Sequence, residues 1–351
     1  MTVPESAEEL ADSLDLAPLS DLVLEDLGLK VNPIDIVRLA LQATAAVLAV
    51  YKLSTKEWSI EYKDGSEPLT RADLEANKVG LTTRPLFYLI ICTGLGRLFG
   101  EAIPVVSEEN AHASWEERRA YKYFWLVDPV DGTKEFIKRN GQFTVNIGLC
   151  RGEQPVFGVV TVPVQGTVFV GGESFGSYKL EPKKPRQLLR TKHFLLSDQG
   201  LRVVASSSHN TPATLEFVSR LTDPLVVQYG SSLKILMLAA NEAELYPRFS
   251  LCSEWDTCAA HAVLKFAGGE IYPVRTSPGG AEVSTEPLRY RKQSLLNPSF
   301  VAIGRQDAFV SSWTRFSPAL AECESPEGQQ LESAPGSTES CERLTSSAAG
   351  S

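Results

Sequence analysis

The chain has 351 residues, of which 43% are hydrophobic and 22% are charged, so it can bury one large apolar core or two moderate ones. No apolar run approaches the roughly 20 residues that a membrane-spanning helix needs, and the most apolar stretch, residues 85–92, soon meets Gly94 and Gly96. These features exclude a transmembrane protein and are typical of a soluble globular one.

The net charge of −9 is unevenly distributed along the chain. Residues 1–29 carry −8 and residues 317–351 carry −5, so the rest of the chain carries +4. A mildly basic body suits a small polyanionic ligand, but it lacks the stripe of lysine and arginine that binds nucleic acid. We therefore expect a small-molecule partner and no nucleic acid polymer.

The charge of the N-terminal segment and the spacing of the cysteines indicate the cellular compartment. Export and import signals are basic, whereas residues 1–29 are acidic and contain no lysine or arginine. The six cysteines form no C-x-x-C pair, which indicates reduced thiols. We expect a cytoplasmic protein without membrane contacts, and the sequence leaves its oligomeric state open.

Composition and periodicity divide the chain into four segments. Residues 1–31 form an acidic N-terminal extension, which we expect to be peripheral, as a flexible arm or a short amphipathic helix. Residues 32–196 form an α+β domain, whose first helix begins with Asn32 as its cap and Pro33 at its first position. Residues 197–305 form an α/β domain, and residues 306–351 are a low-complexity acidic tail that we expect to be disordered.

The predicted elements of the two domains differ in kind. In the first domain, strand-like stretches predict a largely antiparallel sheet at residues 123–127, 143–149, 157–162 and 167–170. In the second domain, strands are predicted at residues 203–205, 225–228, 244–246 and 270–273. They alternate with helices that are predicted at residues 212–221, 232–240 and 256–267. The fold class is therefore α+β followed by α/β.

A pair of carboxylates follows a hydrophobic strand in the run Asp128-Pro-Val-Asp131. Pro129 prevents a regular helix there, so both carboxylates and the Val130 carbonyl can converge on one point. This all-oxygen set is the one that Mg²⁺ prefers. A D-x-x-D pair alone more often marks a solvated turn, but the complete motif with its preceding aromatic strand is more specific.

The next two residues, Gly132 and Thr133, stand where a helix is expected to begin. Free backbone N–H groups at this position can hold a phosphate oxygen, and the Thr133 hydroxyl can position a water. The run from Asp128 to Thr133 therefore indicates a metal-assisted phosphate site.

Two further acids fit the same site, although each also has a simpler structural explanation. Glu108 follows an apolar strand that would deliver it to the same sheet edge, but a glutamate there is usually solvated. Asp256 opens a helix behind Trp255, where an aspartate is usually only a helix cap. Their occurrence together with the D-P-V-D-G-T run favours a shared metal site.

These motifs resemble those of a known superfamily. The set Ser107-Glu-Glu109, Asp128-Pro-Val-Asp-Gly-Thr133 and Trp255-Asp-Thr-Cys-Ala259 is similar to the lithium-sensitive, metal-dependent phosphatases. That superfamily comprises inositol monophosphatases, fructose-1,6-bisphosphatases and 3′(2′),5′-bisphosphate nucleotidases. Within it, the CysQ-type nucleotidases are the most similar, through residues 131–147, 230–234, 245–249 and 296–300. The resemblance spans about residues 32–304 and implies a layered α-β-α-β-α sugar-phosphatase fold, the inositol monophosphatase-like fold.

The resemblance also implies roles for individual residues. The implied ligands of two or three Mg²⁺ ions are Glu108, Asp128, the Val130 carbonyl, Asp131 and Asp256. Asp73 and Thr133 are implied to activate the attacking water. The implied substrate contacts are Gly132, Thr133, Ser206, His209, Gly230, Lys234 and Asp256.

The implied reaction is Mg²⁺-dependent removal of the 3′-phosphate from 3′-phosphoadenosine 5′-phosphate, giving AMP and phosphate, as in sulfur metabolism. The sulfated analogue, 3′-phosphoadenosine 5′-phosphosulfate, is a further candidate substrate. An inositol phosphate phosphatase with the same metal site is the first alternative. A catalytically silent protein that binds nucleotide or metal is the second.

Overall fold

The structure, a computed structural model, describes residues 6–53, 86–110, 112–206, 211–277 and 280–305. Three clusters of buried apolar side chains hold this part of the chain together. Each cluster lies between layers of helices and sheets. The layers that each cluster joins therefore give the order of the layers.

The N-terminal segment is part of the core. It forms helix α1 (Ala7–Asp12) and an antiparallel hairpin of strands β1 (Leu22–Leu24) and β2 (Leu29–Val31). The side chains of Leu10, Leu22 and Leu24 are 0–2% exposed and belong to the first apolar cluster. The expectation of a peripheral, flexible extension is therefore wrong for residues 6–31, because the spaced leucines pack inward.

Helix α2 (Pro33–Lys52) begins where the sequence predicts. The Asn32 side chain accepts hydrogen bonds from the backbone N–H groups of Ile34 (2.9 Å) and Asp35 (3.4 Å), and Pro33 occupies the first turn. One face of the helix is buried in the first cluster. Local capping and an apolar face together explain why this segment is helical.

Helix α2 is also long and apolar enough to cross a membrane by length and composition, with a mean hydropathy of 1.6 in its most apolar window. The expectation that no segment reaches this threshold is therefore wrong. In the structure, 61% of that window is buried inside the protein, as in the core helix of a soluble protein. Its packing accounts for its apolar composition.

Helix α3 (Leu86–Phe99) packs against α2, and Gly94 permits close approach to Leu39. The seven strands of the first sheet follow, in their order in the sheet: β3 (Val105–Ser107), β4 (Tyr123–Asp131), β5 (Thr144–Arg151), β6 (Gln154–Val162), β7 (Thr167–Gly172), β8 (Gly176–Leu180) and β9 (Gln187–Leu189). Two short helices, α4 (Trp115–Arg118) and α5 (Thr133–Ile137), flank β4. The β3–β4 pair is parallel and the other pairs are antiparallel, which confirms the predicted sheet.

The second sheet contains six described strands in the order β11-β10-β12-β17-β14-β15. They are β10 (Arg202–Ser206), β11 (Leu225–Tyr229), β12 (Leu245–Arg248), β14 (Glu270–Ser277), β15 (Gly280–Val283) and β17 (Phe300–Ile303). Strands β13 (Cys252–Ser253) and β16 (Leu296–Asn297) form a separate pair. The helices are α6 (Pro212–Ser219), α7 (Leu233–Ala239) and α8 (Glu254–Ala267), close to the predicted ranges.

A row of glycines lets helix α8 lie directly on the first sheet. Gly148, Gly158 and Gly171 face one another across β5, β6 and β7. A Cβ atom at Gly158 would lie 2.8 Å from the Cα of Ala259, and one at Gly171 would lie 2.6 Å from the Cα of Val263. The absence of side chains along this row therefore creates the groove that α8 fills.

The three apolar clusters establish five layers. The first cluster joins helices α1–α3 to one face of the first sheet. The second joins the other face of that sheet, through α7 and α8, to the second sheet, and the third joins the second sheet to α6. The predicted α-β-α-β-α fold is confirmed.

Candidate active site

Asp128 and Asp131 lie at an irregularity near the end of β4. Asp128 pairs with Asn146 and Asp131 pairs with Thr144, so three steps along β4 match two steps along β5. Residues three apart on a regular strand point to opposite faces, and the one extra residue of a bulge returns them to the same face. The bulge therefore directs the two carboxylates to one side of the sheet. The Val130 N–H donates to Asp128 Oδ1 (3.0 Å) within this turn.

Asp256 reaches the same place from helix α8. It is the third residue of that helix, and its Oδ2 accepts a hydrogen bond from the backbone N–H of Ser253 (2.9 Å). Asp256 thus supports the helix start as the third residue of a capping box whose N-cap is Ser253, whereas the simpler explanation predicts that it is the N-cap itself. It also lines the cavity described below, so capping fixes its position without excluding a second role.

Asp128, Asp131 and Asp256 form an acidic cluster. One carboxylate oxygen from each lies within 4.8 Å of the others. Burial, and then the neighbouring acids Glu108, Asp131 and Asp256, raise the pKa of Asp128 well above its ordinary value. Burial and the nearby Asp131 raise the pKa of Asp256 to about 7. Three carboxylates at this separation repel one another unless protons or cations neutralise them.

Glu108 stands at the rim of this cluster. It follows β3, which pairs in parallel with β4, so the strand order delivers it to the same sheet edge. Its side chain is exposed, lines the same cavity, and is the first neighbouring charge that raises the pKa of Asp128. It lies outside the cluster of three closest carboxylates.

The donor set fits a hard divalent cation. The cavity presents carboxylates, and Val130 lines it beside them. Oxygen donors are the ligands that Mg²⁺ and Ca²⁺ prefer, and a bound cation would offset the burial and the mutual repulsion that raise the pKa values of Asp128 and Asp256. The cluster is therefore suited to binding a cation.

The cavity lining also contains two cationic side chains, Lys234 and Arg248. Lys234 on α7 is only 5% exposed, and burial and the neighbouring Arg248 lower its pKa to about 8. Its Nζ lies 5.7 Å from the centre of the Tyr246 ring. The Arg248 guanidinium donates to the carbonyl oxygens of Ser250 (3.3 Å) and Leu251 (2.9 Å), which holds it in place. Two positive groups therefore share one cavity with the acidic cluster.

This cavity has a volume of about 300 Å³ and collects most of the predicted site residues. Those that line it are Glu108, Asp128, Val130, Asp131, Gly132, Thr133, Ser206, Gly230, Lys234 and Asp256. The other two, Asp73 and His209, lie outside the described residues. The structure therefore brings together ten of the twelve predicted residues.

Gly132 and Gly230 line the cavity where α5 and the turn before α7 meet. Gly132 has φ 95°, a left-handed conformation suited to glycine, and a Cβ there would lie 3.1 Å from the Cβ of Ser231. The backbone N–H of Gly230 donates to Gln142 Oε1 (2.8 Å). These contacts hold the turn at residues 230–232 against the C-terminal end of β4, which carries Asp128 and Asp131.

Several lining residues were not predicted as site residues. They include Ser231, Ser232, Tyr246, Arg248 and Cys252. Arg248 lies within the run 245–249 that carries the family resemblance, which is the signal that could have identified it. The two serines lie within the run 230–234 that carries the same resemblance, although only the fold shows that their turn contacts Asp131.

Comparisons with known proteins agree with this geometry. Residues 30–306 match the inositol monophosphatase family. The 3′(2′),5′-bisphosphate nucleotidase CysQ of Shigella flexneri is 37% identical over 264 residues, which are 75% of this chain and 96% of that protein. CysQ of Escherichia coli K12 is 36% identical with the same coverage.

Among solved structures, CysQ from Bacteroides thetaiotaomicron is described as a bacterial member of the inositol monophosphatase family. It is 33% identical, has a TM-score of 0.61, and the match covers 78% of this chain and 97% of that one. The predicted relationship to a metal-dependent phosphatase family is confirmed: the chain belongs to the inositol monophosphatase family.

Proposed function

We propose that this protein is an Mg²⁺-dependent 3′(2′),5′-bisphosphate nucleotidase that converts 3′-phosphoadenosine 5′-phosphate into AMP and phosphate. The sulfated analogue, 3′-phosphoadenosine 5′-phosphosulfate, is a second proposed substrate. The observation that carries the proposal is that one cavity combines an acidic cluster with a buried lysine and a fixed arginine. A substrate with two phosphate groups needs both kinds of site.

The acidic cluster would bind two or three divalent cations through Asp128, Asp131 and Asp256. Glu108 and the Val130 carbonyl complete this proposed ligand set. The bound cations would neutralise the phosphoryl oxygens and lower the pKa of a water. The carboxylates would hold the cations, whose charge would act on the 3′-phosphate.

The helix-opening residues would orient the reacting phosphate. Gly132 and Thr133 line the cavity directly after Asp131, so their backbone N–H groups can donate to a phosphoryl oxygen. The Thr133 hydroxyl would position the attacking water, together with Asp73 as the family resemblance implies. Phosphate would leave directly, without a phosphoenzyme.

Lys234 and Arg248 would hold the 5′-phosphate that is not cleaved. Lys234 is buried beside Arg248, so an anion between them would relieve the repulsion of two cations and the desolvation of the lysine. Ser206 and Gly230 line the same cavity, and His209 is the remaining implied substrate contact. An inositol monophosphate has no second phosphate for this pair.

A substrate panel tests the proposal. Phosphate release is measured from 3′-phosphoadenosine 5′-phosphate, inositol 1-phosphate and fructose 1,6-bisphosphate, with Mg²⁺ and with or without Li⁺. We expect the adenosine bisphosphate to have the highest kcat/KM, Li⁺ to inhibit, and Asp128→Asn to abolish turnover. Preference for inositol 1-phosphate supports the first alternative, and no turnover of any compound supports a silent binding protein.

A further inference from the structure

A row of buried polar groups leads away from Asp131 into the protein. The Ser231 hydroxyl and the Ser232 backbone N–H both donate to Asp131 Oδ2 at 2.7 Å. Thr144 Oγ1 lies 2.5 Å from Ser231 Oγ and 2.8 Å from Ser232 Oγ. Ser232 Oγ in turn lies 3.0 Å from Asn146 Oδ1. The carboxylate is thus the outer end of a continuous hydrogen-bonded row.

The inner members of this row are fully enclosed. The side chains of Thr144 and Asn146 are 0% exposed and neither lines the cavity. They are the residues that pair with Asp131 and Asp128 across the β4–β5 ladder. Each of these two acids therefore has a buried polar residue directly opposite it on β5.

Ser231 keeps an unfavourable backbone conformation in this arrangement. Its φ is 57°, which residues other than glycine rarely adopt. This conformation places the Ser231 hydroxyl and the Ser232 N–H on the same oxygen of Asp131. Strain of this kind persists where the surrounding structure requires it, and it is concentrated at functional sites.

Each hydroxyl in this row has one proton, and this fixes which group donates and which accepts in each hydrogen bond. An ionised Asp131 only accepts, so the single Ser231 proton goes to it, the Thr144 proton goes to Ser231, and the Ser232 proton goes to Thr144. Ser232 Oγ must then accept from Asn146, which requires the NH₂ end of that amide to face it.

The hydrogen bonding of the Asn146 amide supports this assignment of donors and acceptors. Its Nδ2 is buried and has no hydrogen-bond partner among the described residues. A half-turn of the amide gives this nitrogen an acceptor in Ser232 Oγ and leaves the amide oxygen unpaired instead. A buried carbonyl oxygen tolerates that state better than an N–H group does.

We propose that Thr144 and Asn146 are positioning residues, which act through Ser231 and Ser232 to hold the Asp131 carboxylate in the orientation that binds the cation. This inference rests on the proposed function, in which Asp131 is a metal ligand. Groups that orient a ligand from behind typically change metal affinity about 10- to 100-fold when they are removed.

The test is the substitution Thr144→Val in the full chain, with Mg²⁺ affinity measured by calorimetry and Tm measured in EDTA. We expect Mg²⁺ binding to weaken about 10- to 100-fold. Thr144→Ser keeps the hydroxyl and should bind Mg²⁺ nearly as the unchanged protein does. Unchanged Mg²⁺ affinity in Thr144→Val overturns the proposal.

Thr161→Val is the matched control. Thr161 lies on β6 opposite Val145, so it faces the other side of the sheet, where its hydroxyl pairs with that of Thr44 (2.6 Å). Thr161→Val removes a buried threonine hydroxyl from the same sheet, as Thr144→Val does, although it breaks one hydroxyl pair where Thr144→Val breaks two, and it should retain Mg²⁺ affinity. If it weakens binding as much as Thr144→Val does, the effect is one of general stability and the proposal fails.

Two further variants distinguish a failure of this proposal from misfolding of Thr144→Val and from a failure of the proposed function. Ser231→Gly relieves the left-handed backbone and removes the hydroxyl, so Tm should be unchanged or higher while Mg²⁺ binding weakens. Equal Mg²⁺ affinity in Ser231→Gly overturns the proposal even if Thr144→Val does not fold. Asp131→Asn should lose Mg²⁺ binding, and if it does not, the proposed function itself is wrong.

Discussion

Asp128 and Asp256 are carboxyl groups whose surroundings favour the protonated form in the metal-free protein. Their pKa values are higher in the folded than in the unfolded chain, so the folded state holds these protons more tightly. The stability that they contribute is therefore present at low pH and is lost as pH rises from about 4 through the folded pKa, which for Asp256 is about 7.

Mg²⁺ should reverse this dependence, because it competes with the same protons and binds only the ionised carboxylates. We expect Mg²⁺ to raise Tm more at a pH of about 8 than at a pH of about 6, on either side of the Asp256 pKa. Calorimetric scans in EDTA and in saturating Mg²⁺ measure this difference. An equal increase at both pH values would contradict the assignment, and Asp256→Asn should reduce the difference.

Lys234 and Arg248 should matter for a bisphosphate and little for a monophosphate. Replacing either residue by Met removes a charge-assisted contact, so kcat/KM for 3′-phosphoadenosine 5′-phosphate should fall about 10- to 100-fold. Hydrolysis of adenosine 3′-phosphate should change much less. Equal losses on both substrates would show that the pair does not bind the second phosphate.

Lys179→Met is the control for these charge deletions. Lys179 Nζ also lies 5.7 Å from an aromatic ring, that of Phe169, but its residue lies on β8 and does not line the cavity. We expect kcat/KM for both substrates to be unchanged in this variant.

Helix α8 connects the two sheets and also carries Asp256. Gly158→Ala places a methyl group against the backbone of Ala259, so we expect the free energy of unfolding to fall by about 1–3 kcal/mol. Gly96→Ala, at an exposed position of α3 where no described atom lies within 4 Å of the new Cβ, should instead raise the free energy of unfolding by about 0.5–1 kcal/mol. Urea unfolding measures both, and a neutral Gly158→Ala would contradict the close packing of α8.

Elements with a strong local signal are the ones that the sequence predicts. Helix α2 has its cap and proline, and β4 is a long apolar run, so both lie close to their predicted positions. Strand β17 lies between β12 and β14 in its sheet but has only four residues after a segment rich in turn residues. It forms a strand because it pairs with β12 and β14, and not because of its own residue pattern. These partners are distant in sequence, so the local sequence does not predict the strand.

At the scale of the whole molecule, the core includes residues that precede the region matching the family model. Leu22→Ala should lower the free energy of unfolding by about 2–5 kcal/mol, because its side chain is 2% exposed within the first cluster. The adjacent Val23→Ala, with a side chain 49% exposed, should change it by about 0.5 kcal/mol or less. If Leu22→Ala lowered the free energy of unfolding no more than Val23→Ala does, residues 6–31 would be peripheral after all.

The acidic half of the site was accessible from sequence because Asp128 and Asp131 occur in one short, unusual motif. The expectation of a peripheral N-terminal extension failed for residues 6–31 because leucines spaced among acids fit a surface helix as well as a buried one. Arg248 lies within the run 245–249 that carries the family resemblance, but it was missed as a site residue because, apart from that resemblance, its local pattern is that of a surface arginine. Its value to the site comes from the cavity that it shares with Lys234 and the acidic cluster.

The proposed activity requires that Asp128, Asp131 and Asp256 bind divalent cations in one cavity. Anomalous diffraction from crystals grown with Mn²⁺, a hard cation that replaces Mg²⁺ at oxygen sites, tests this most directly. We expect manganese peaks in contact with these three carboxylates. Peaks only at other positions, in a protein that still hydrolyses its phosphate substrate, would contradict it.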